Sequence, residues 1–96
     1  MYARVAKWEG AEADALRGAA EQINSNAGSG PPEGVPATGF MMLIDPDSGR
    51  SLSIVLFDTE EDLRKGDETL NAMNAGRQTG DRTSVENYEV AVNVRA

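Results

Sequence analysis

The 96-residue chain has no cysteine and no histidine. Without cysteine there is no disulfide, no thiolate nucleophile and no cysteine-ligated metal. Without histidine the commonest general base and the commonest metal ligand are gone as well, so no metal site is expected. Aromatics make up 5% of the residues, with a single tryptophan, Trp8. No apolar run reaches the roughly 18 residues that a membrane-spanning helix needs. Met1-Tyr2-Ala3-Arg4-Val5 passes directly into a strand-like pattern rather than a basic segment followed by an apolar one, and no signal peptide is expected. The expected compartment is cytoplasmic, with no membrane partner. Nine basic residues face 16 acidic ones, for a net charge of −7. They are scattered along the chain. Cationic neutralisation of phosphates supplies most nucleic-acid affinity, so no nucleic-acid partner is expected. The ordinary role of such acidity is solubility.

A chain of this length can build one core, and residues 1–96 read as one domain. Its centre is the stretch from Gly39 to Met73. Phe40-Met41-Met42-Leu43-Ile44 and Leu52-Ser53-Ile54-Val55-Leu56-Phe57 bracket the turn-forming Pro46-Asp47-Ser48-Gly49, which predicts a β-hairpin. Both faces of this hairpin are apolar in the middle, so it is expected to be covered on both sides. Tyr2 to Trp8 reads as a first strand. A thin helix over 11–23 follows, with Ala13, Leu16, Ala20 and Ile23 at helical spacing. Asn24 to Gly39 holds four glycines and three prolines and reads as a long loop, either a plain connection or a cover for a pocket.

Thr59 with Asp62 three residues on forms a capping-box variant at the start of a second helix. Glu60, Glu61 and Asp62 there suit the positive end of the helix dipole better than a metal, since consecutive carboxylates on a helix diverge. Leu63, Gly66, Leu70 and Met73 form its buried stripe, and Gly66 marks a close approach to the sheet. Gly76 stops the helix, with Arg77 near its carbonyl end. Residues 76–84 read as a polar loop, where Arg77 and Arg82 are candidates to meet an anionic ligand and a solvated loop is the ordinary reading. Val85 to Val94 alternates as the last strand.

The resulting β-α-β-β-α-β order predicts an α+β, ferredoxin-like fold, a four-stranded antiparallel sheet with two helices on one face. Ala3, Val5, Leu52, Ile54, Leu56, Val90, Val92 and Val94 are expected to face the helices. Arg4, Trp8, Ser53, Phe57 and Asn93 then share the other face, and for the second strand the choice between Phe40/Met42/Ile44 and Met41/Leu43 stays open. No third helix covers that second face. A bare apolar patch of this size is uncommon, and a second copy of the chain is the simplest cover.

Tyr2-Ala3-Arg4-Val5, Thr59-Glu60-Glu61-Asp62-Leu63 and Tyr88-Glu89-Val90-Ala91-Val92, in this order of elements, resemble the dimeric α/β-barrel superfamily, and within it small proteins of the antibiotic biosynthesis monooxygenase type. The resemblance implies a homodimer closing an α/β barrel and a pocket for a small, aromatic or polyketide-like molecule. It also implies a cofactor-independent monooxygenase, with no cofactor required. The alternative is a non-catalytic small-molecule-binding or protein-interaction dimer of the same fold. Family members that degrade haem use a histidine, an asparagine on the first strand and a late tryptophan, none of which matches here. The candidate substrate-binding residues are Arg4, Trp8, Ser53, Phe57 and Asn93, offering a cation, an aromatic wall and an amide; no catalytic residue is assigned. A phenolate beside Arg4 would have its pKa lowered and could react with dioxygen directly. Trp8 reads more readily as a core residue, and Arg4 equally well as the ion-pair partner of Glu89.

Overall fold

The computed structural model describes residues 1–26, 28, 30, 34–73 and 80–94. The elements run β1 (Tyr2–Glu9), α1 (Ala13–Ser25), β2 (Gly39–Asp45), β3 (Arg50–Phe57), α2 (Glu60–Met73) and β4 (Asp81–Glu89). The strands form one four-stranded sheet in the order β2-β3-β1-β4, antiparallel throughout. This is the expected ferredoxin-like arrangement. Among the described residues no helix is long and apolar enough to cross a membrane.

Local chemistry explains the element boundaries. The β2–β3 hairpin closes on the Asp45–Arg50 pair, whose side chains bond at 3.0 Å while Arg50 Nε donates to Ser48 Oγ at 2.8 Å. Gly49 takes a φ of 72° that a side chain would strain. There it accepts the Ala11 amide at 3.2 Å, which ties the start of α1 to the hairpin. Thr59 caps α2 as expected, its Oγ1 accepting the Asp62 amide at 3.1 Å. The expected helix stop at Gly76 and Arg77, and the side chain of Met73, lie outside the described residues.

The assignment of sheet faces is reversed from expectation. Arg4 reaches Asp67 and Asn71 of α2, so Tyr2, Arg4, Ala6 and Trp8 lie on the helix-covered side. Antiparallel register carries that side across the sheet to Val55 and Phe57 of β3, then to Phe40, Met42 and Ile44 of β2. Ala3, Val5, Leu52, Ile54 and Leu56, expected beneath the helices, instead share the open face with Met41 and Leu43. Hydrophobicity could not decide between two faces that are both apolar. Shape did: a Cβ on Gly66 would fall on the edge of the Phe57 ring, so the glycine and the ring fit only with Phe57 under α2. Val35, Val55, Phe57 and Leu63 form the buried cluster there, with Tyr2, Ala37 and Leu70 against it. Val35 belongs to the long loop, whose 34–38 segment is held by Thr69 Oγ1 donating to the Gly34 carbonyl at 3.1 Å and by the Thr38 amide on Leu56 O at 2.8 Å. In α1 the buried residues are Leu16 and Ala19, and Ile23 is exposed.

The last strand is also displaced. It occupies Asp81–Glu89 rather than 85–94, with Tyr2 opposite Glu89 and the Met1 carbonyl accepting the Val90 amide at 2.9 Å. Val92 and Val94 are left without a strand opposite them, 79% and 84% exposed. Their alternation is strand-like, but among the described residues no strand of this sheet pairs with them.

Candidate functional site

Beneath α2 the covered face becomes polar. Arg4 is 4% exposed; its Nε donates to Asp67 Oδ1 at 2.7 Å and its Nη2 to Asn71 Oδ1 at 2.9 Å. A buried guanidinium needs such a partner, since an uncompensated charge costs several kcal/mol, on the order of 3–5. The Arg4 ion pair is therefore with Asp67 on α2 and not with Glu89 on the neighbouring strand. Asn71 Oδ1 accepts a second guanidinium, Arg82 Nη1, at 2.9 Å. Asp67, Asn71, Arg82, Thr83, Val85 and Asn87 are among the residues lining a cavity of about 450 Å3 between α2 and β4.

The sequence-derived candidates divide. Arg4, Trp8, Ser53 and Phe57 do lie on one face, but it is the face covered by helices rather than the open one. Phe57 is fully buried core. Ser53 lies opposite Ala6 in the middle of the sheet. Trp8 stands between Ser51 and Arg82 in register; its Nε1 and Ser51 Oγ are buried with no hydrogen-bond partner among the described residues, an arrangement that costs free energy unless water or another polar group serves them. Asn93 does not join the group. It is exposed beyond the end of β4, and the asparagine directly across from Arg4 is Asn87.

Asp67, Asn71 and Asn87 went unremarked in the sequence. A signal was present for two of them: Asp67 and Asn71 are four apart, on the same helical face as Leu63, Gly66 and Leu70, so they interrupt a sheet-facing stripe with polar groups. Asn87 was hidden by the displaced last strand. The bulge in β1–β4 pairing between Lys7 and Trp8 re-aims this end of β4, as bulges do, and accompanies the turn of Arg82 toward α2.

The opposite face carries a separate polar group at its β4 edge. Lys7 Nζ lies 3.0 Å from Glu86 Oε1, and Tyr88 donates to Glu86 Oε2 at 2.7 Å. The bonds from Tyr88 and then Lys7 hold the Glu86 carboxyl below its ordinary value, and Glu86 in turn raises Lys7 and Tyr88.

The sheet and helix pair make a ferredoxin-like fold. Two solved structures share it over essentially the whole chain. One is the heme degrader MhuD from Mycobacterium tuberculosis with two hemes bound in its active site, 15% identical, covering 99% of this chain and 100% of that one with a TM-score of 0.63. The other is an arginine-to-serine mutant of MhuD with two manganese protoporphyrin IX molecules per active site, 16% identical, covering 100% of both chains with a TM-score of 0.64. At this identity the likeness establishes the fold. No family model matches the chain, and no curated protein matches it.

The donor set here does not suit haem iron. Axial ligands are drawn from histidine, cysteine, methionine and tyrosine. The chain has neither of the first two, and none of the four is among the described residues that line the cavity. Tyr2 packs against the core cluster, and Tyr88 is on the open face. What the cavity offers is hydrogen-bond donors and acceptors, the Arg82 guanidinium and the Asp67 carboxylate.

Proposed function

We propose that residues 1–96 form one dimeric α/β-barrel domain that binds a small organic molecule, aromatic or polyketide-like, in the α2–β4 cleft of each protomer. The observation that carries this reading is the cleft itself, a cavity of about 450 Å3 whose polar walls are braced by a buried arginine. Pockets of this size are the usual seat of small ligands, and this one is open to solvent with a mostly polar lining. The MhuD structures, which hold tetrapyrroles in their active site on the same fold, support a ligand site in this architecture. The open face supports the homodimer. Val5, Met41, Leu43, Leu52, Ile54 and Leu56 make a continuous apolar surface with Met41 and Leu43 about half exposed. A second copy related by a twofold axis would cover it. Val92 and Val94 add an unpaired strand-like segment available to that partner. The working compartment in this reading is the cytoplasm.

Cofactor-independent oxygenation is the second reading, favoured by the Arg4–Asp67 pair beside the cavity. A phenolic ligand would find a carboxylate to take its proton and cations to hold its anion, and an electron-rich phenolate can pass an electron to dioxygen.

Native mass spectrometry of freshly purified protein tests both parts. The expected species has twice the 10.2 kDa of one chain and retains a small added mass; a monomer would remove the barrel. Titration with a panel of phenols and quinols, followed by amide NMR, is expected to shift Asn71, Val85 and Asn87. A panel that leaves these signals unmoved would remove the cleft as a binding site, and oxygen uptake with a binding phenol decides the catalytic reading.

A further inference from the structure

We infer that the ligand of the cleft is an organic acid and that Arg82 is the residue that reads its oxyanion; this rests on the reading that the α2–β4 cleft holds a ligand. The two arginines of the site are not equivalent. Arg4 is buried, and its Nε and Nη2 are spent on Asp67 and Asn71. Arg82 is exposed and lines the cavity, and among the described residues it bonds only to the neutral Asn71 side chain. A guanidinium has five N–H donors in a planar fork that matches a carboxylate, and one of these is used on Asn71.

Asn71 sharpens the argument. Both arginines donate to its Oδ1, each at 2.9 Å. A guanidinium accepts no hydrogen bond, so the amide orientation is determined, and its two Nδ2 hydrogens remain as donors. Asp67 is the one carboxylate among the described residues that line the cavity, and its Oδ1 is engaged by Arg4. The Asp67 charge is thus already paired with the buried Arg4, so among the described lining residues the Arg82 guanidinium is the charge left uncompensated, in a chain of net charge −7. A cleft walled by protein focuses such a field on what enters it. Asp67, Arg4 and Asn71 are positioning residues, and Arg82 is the contact.

The test uses matched probes on the protein as purified: 8-anilinonaphthalene-1-sulfonate, and N-phenyl-1-naphthylamine, which has the same aromatic body without the sulfonate. Fluorescence titration at low salt is expected to give roughly 10-fold tighter binding of the sulfonate, the scale of one charge-assisted hydrogen bond. Arg82→Gln is expected to abolish that preference and leave the neutral probe's affinity within about twofold. Arg82→Lys, which retains the charge and loses the fork, is expected to keep part of it. Arg64→Gln, on the exposed side of α2, is expected to change nothing. Equal affinity for the two probes, or a preference that survives Arg82→Gln, overturns the inference while leaving the cleft as a binding site. Failure of both probes to bind overturns the inference together with the cleft reading.

Discussion

The two faces of one sheet solve opposite problems. Under α2 the strands combine a tight apolar cluster around Phe57 with a buried cation whose partners all come from the helix. On the open side the centre is aliphatic and unpartnered among the described residues, and the ionic group Lys7–Glu86–Tyr88 stands at the β4 edge. A polar group buried under a helix can be satisfied by that helix, turn by turn. An apolar surface facing outward can be satisfied only by another molecule. The contrast separates stability, which belongs to the covered face, from the assembly proposed for the open one.

Charge placed on each face should therefore have different consequences. Ile54→Asp puts a carboxylate in the middle of the open face, where dimer formation would bury it unpaired. Analytical ultracentrifugation is expected to show a dimer for the wild type and a monomer for the variant at the same concentration, a loss of about 3–5 kcal/mol in association. Retention of the dimer would mean that the sheets do not stack. Asp67→Ala attacks the covered face and should leave assembly intact while lowering the denaturation midpoint. It strands Arg4, which is only 5% exposed at its side chain against 30% for Asp67, so about 2–4 kcal/mol is expected. Arg4→Met should cost less, because the carboxylate left behind can reach water. An equal or reversed order would show that Asp67 is not the buried arginine's essential partner.

Gly66→Ala tests the close approach of helix and sheet. Helix propensity alone would favour alanine by about 1 kcal/mol, but the new methyl meets the Phe57 ring, an overpacking cost of about 1–3 kcal/mol. Net destabilisation by urea unfolding is the expected sign, and a stabilised variant would mean that Phe57 shifts freely. The smallest effect is with pH. Asp45, bonded first by Arg50 and then Ser48, and Glu86 both titrate below their ordinary values of 3.8 and 4.5. Their contributions are present above those values and are lost as pH falls through the lowered ones. Lys7 and Tyr88 titrate above 10.5 and 10.0, so their contributions are full below those values and disappear as pH rises past the raised ones. Melting temperature should accordingly be flat between about pH 5 and 9 for these groups and fall on both sides. Glu86→Gln should weaken the alkaline fall and leave the covered face unaffected.

Element order, the hairpin, the Thr59 cap and the role of Gly66 were all legible in the chain, because periodicity, turn residues and capping act over a few positions. The pairing of Arg4 with Asp67 was not, since those residues meet only once α2 lies across β1. Nor could the pattern say which face of each strand lies beneath the helices. A period of two separates the faces without labelling them, and here both are apolar. The label came from the fit of Phe57 against Gly66 and from the need of a buried guanidinium for a carboxylate. The same limit displaced the last strand: Tyr88, Val90, Val92 and Val94 alternate well, but a strand is defined by the backbone opposite it, and β1 pairs with Asp81–Glu89. Local chemistry determined the parts and their sequence, whereas long-range contacts decided which way each part faces, and with that the place of the cleft.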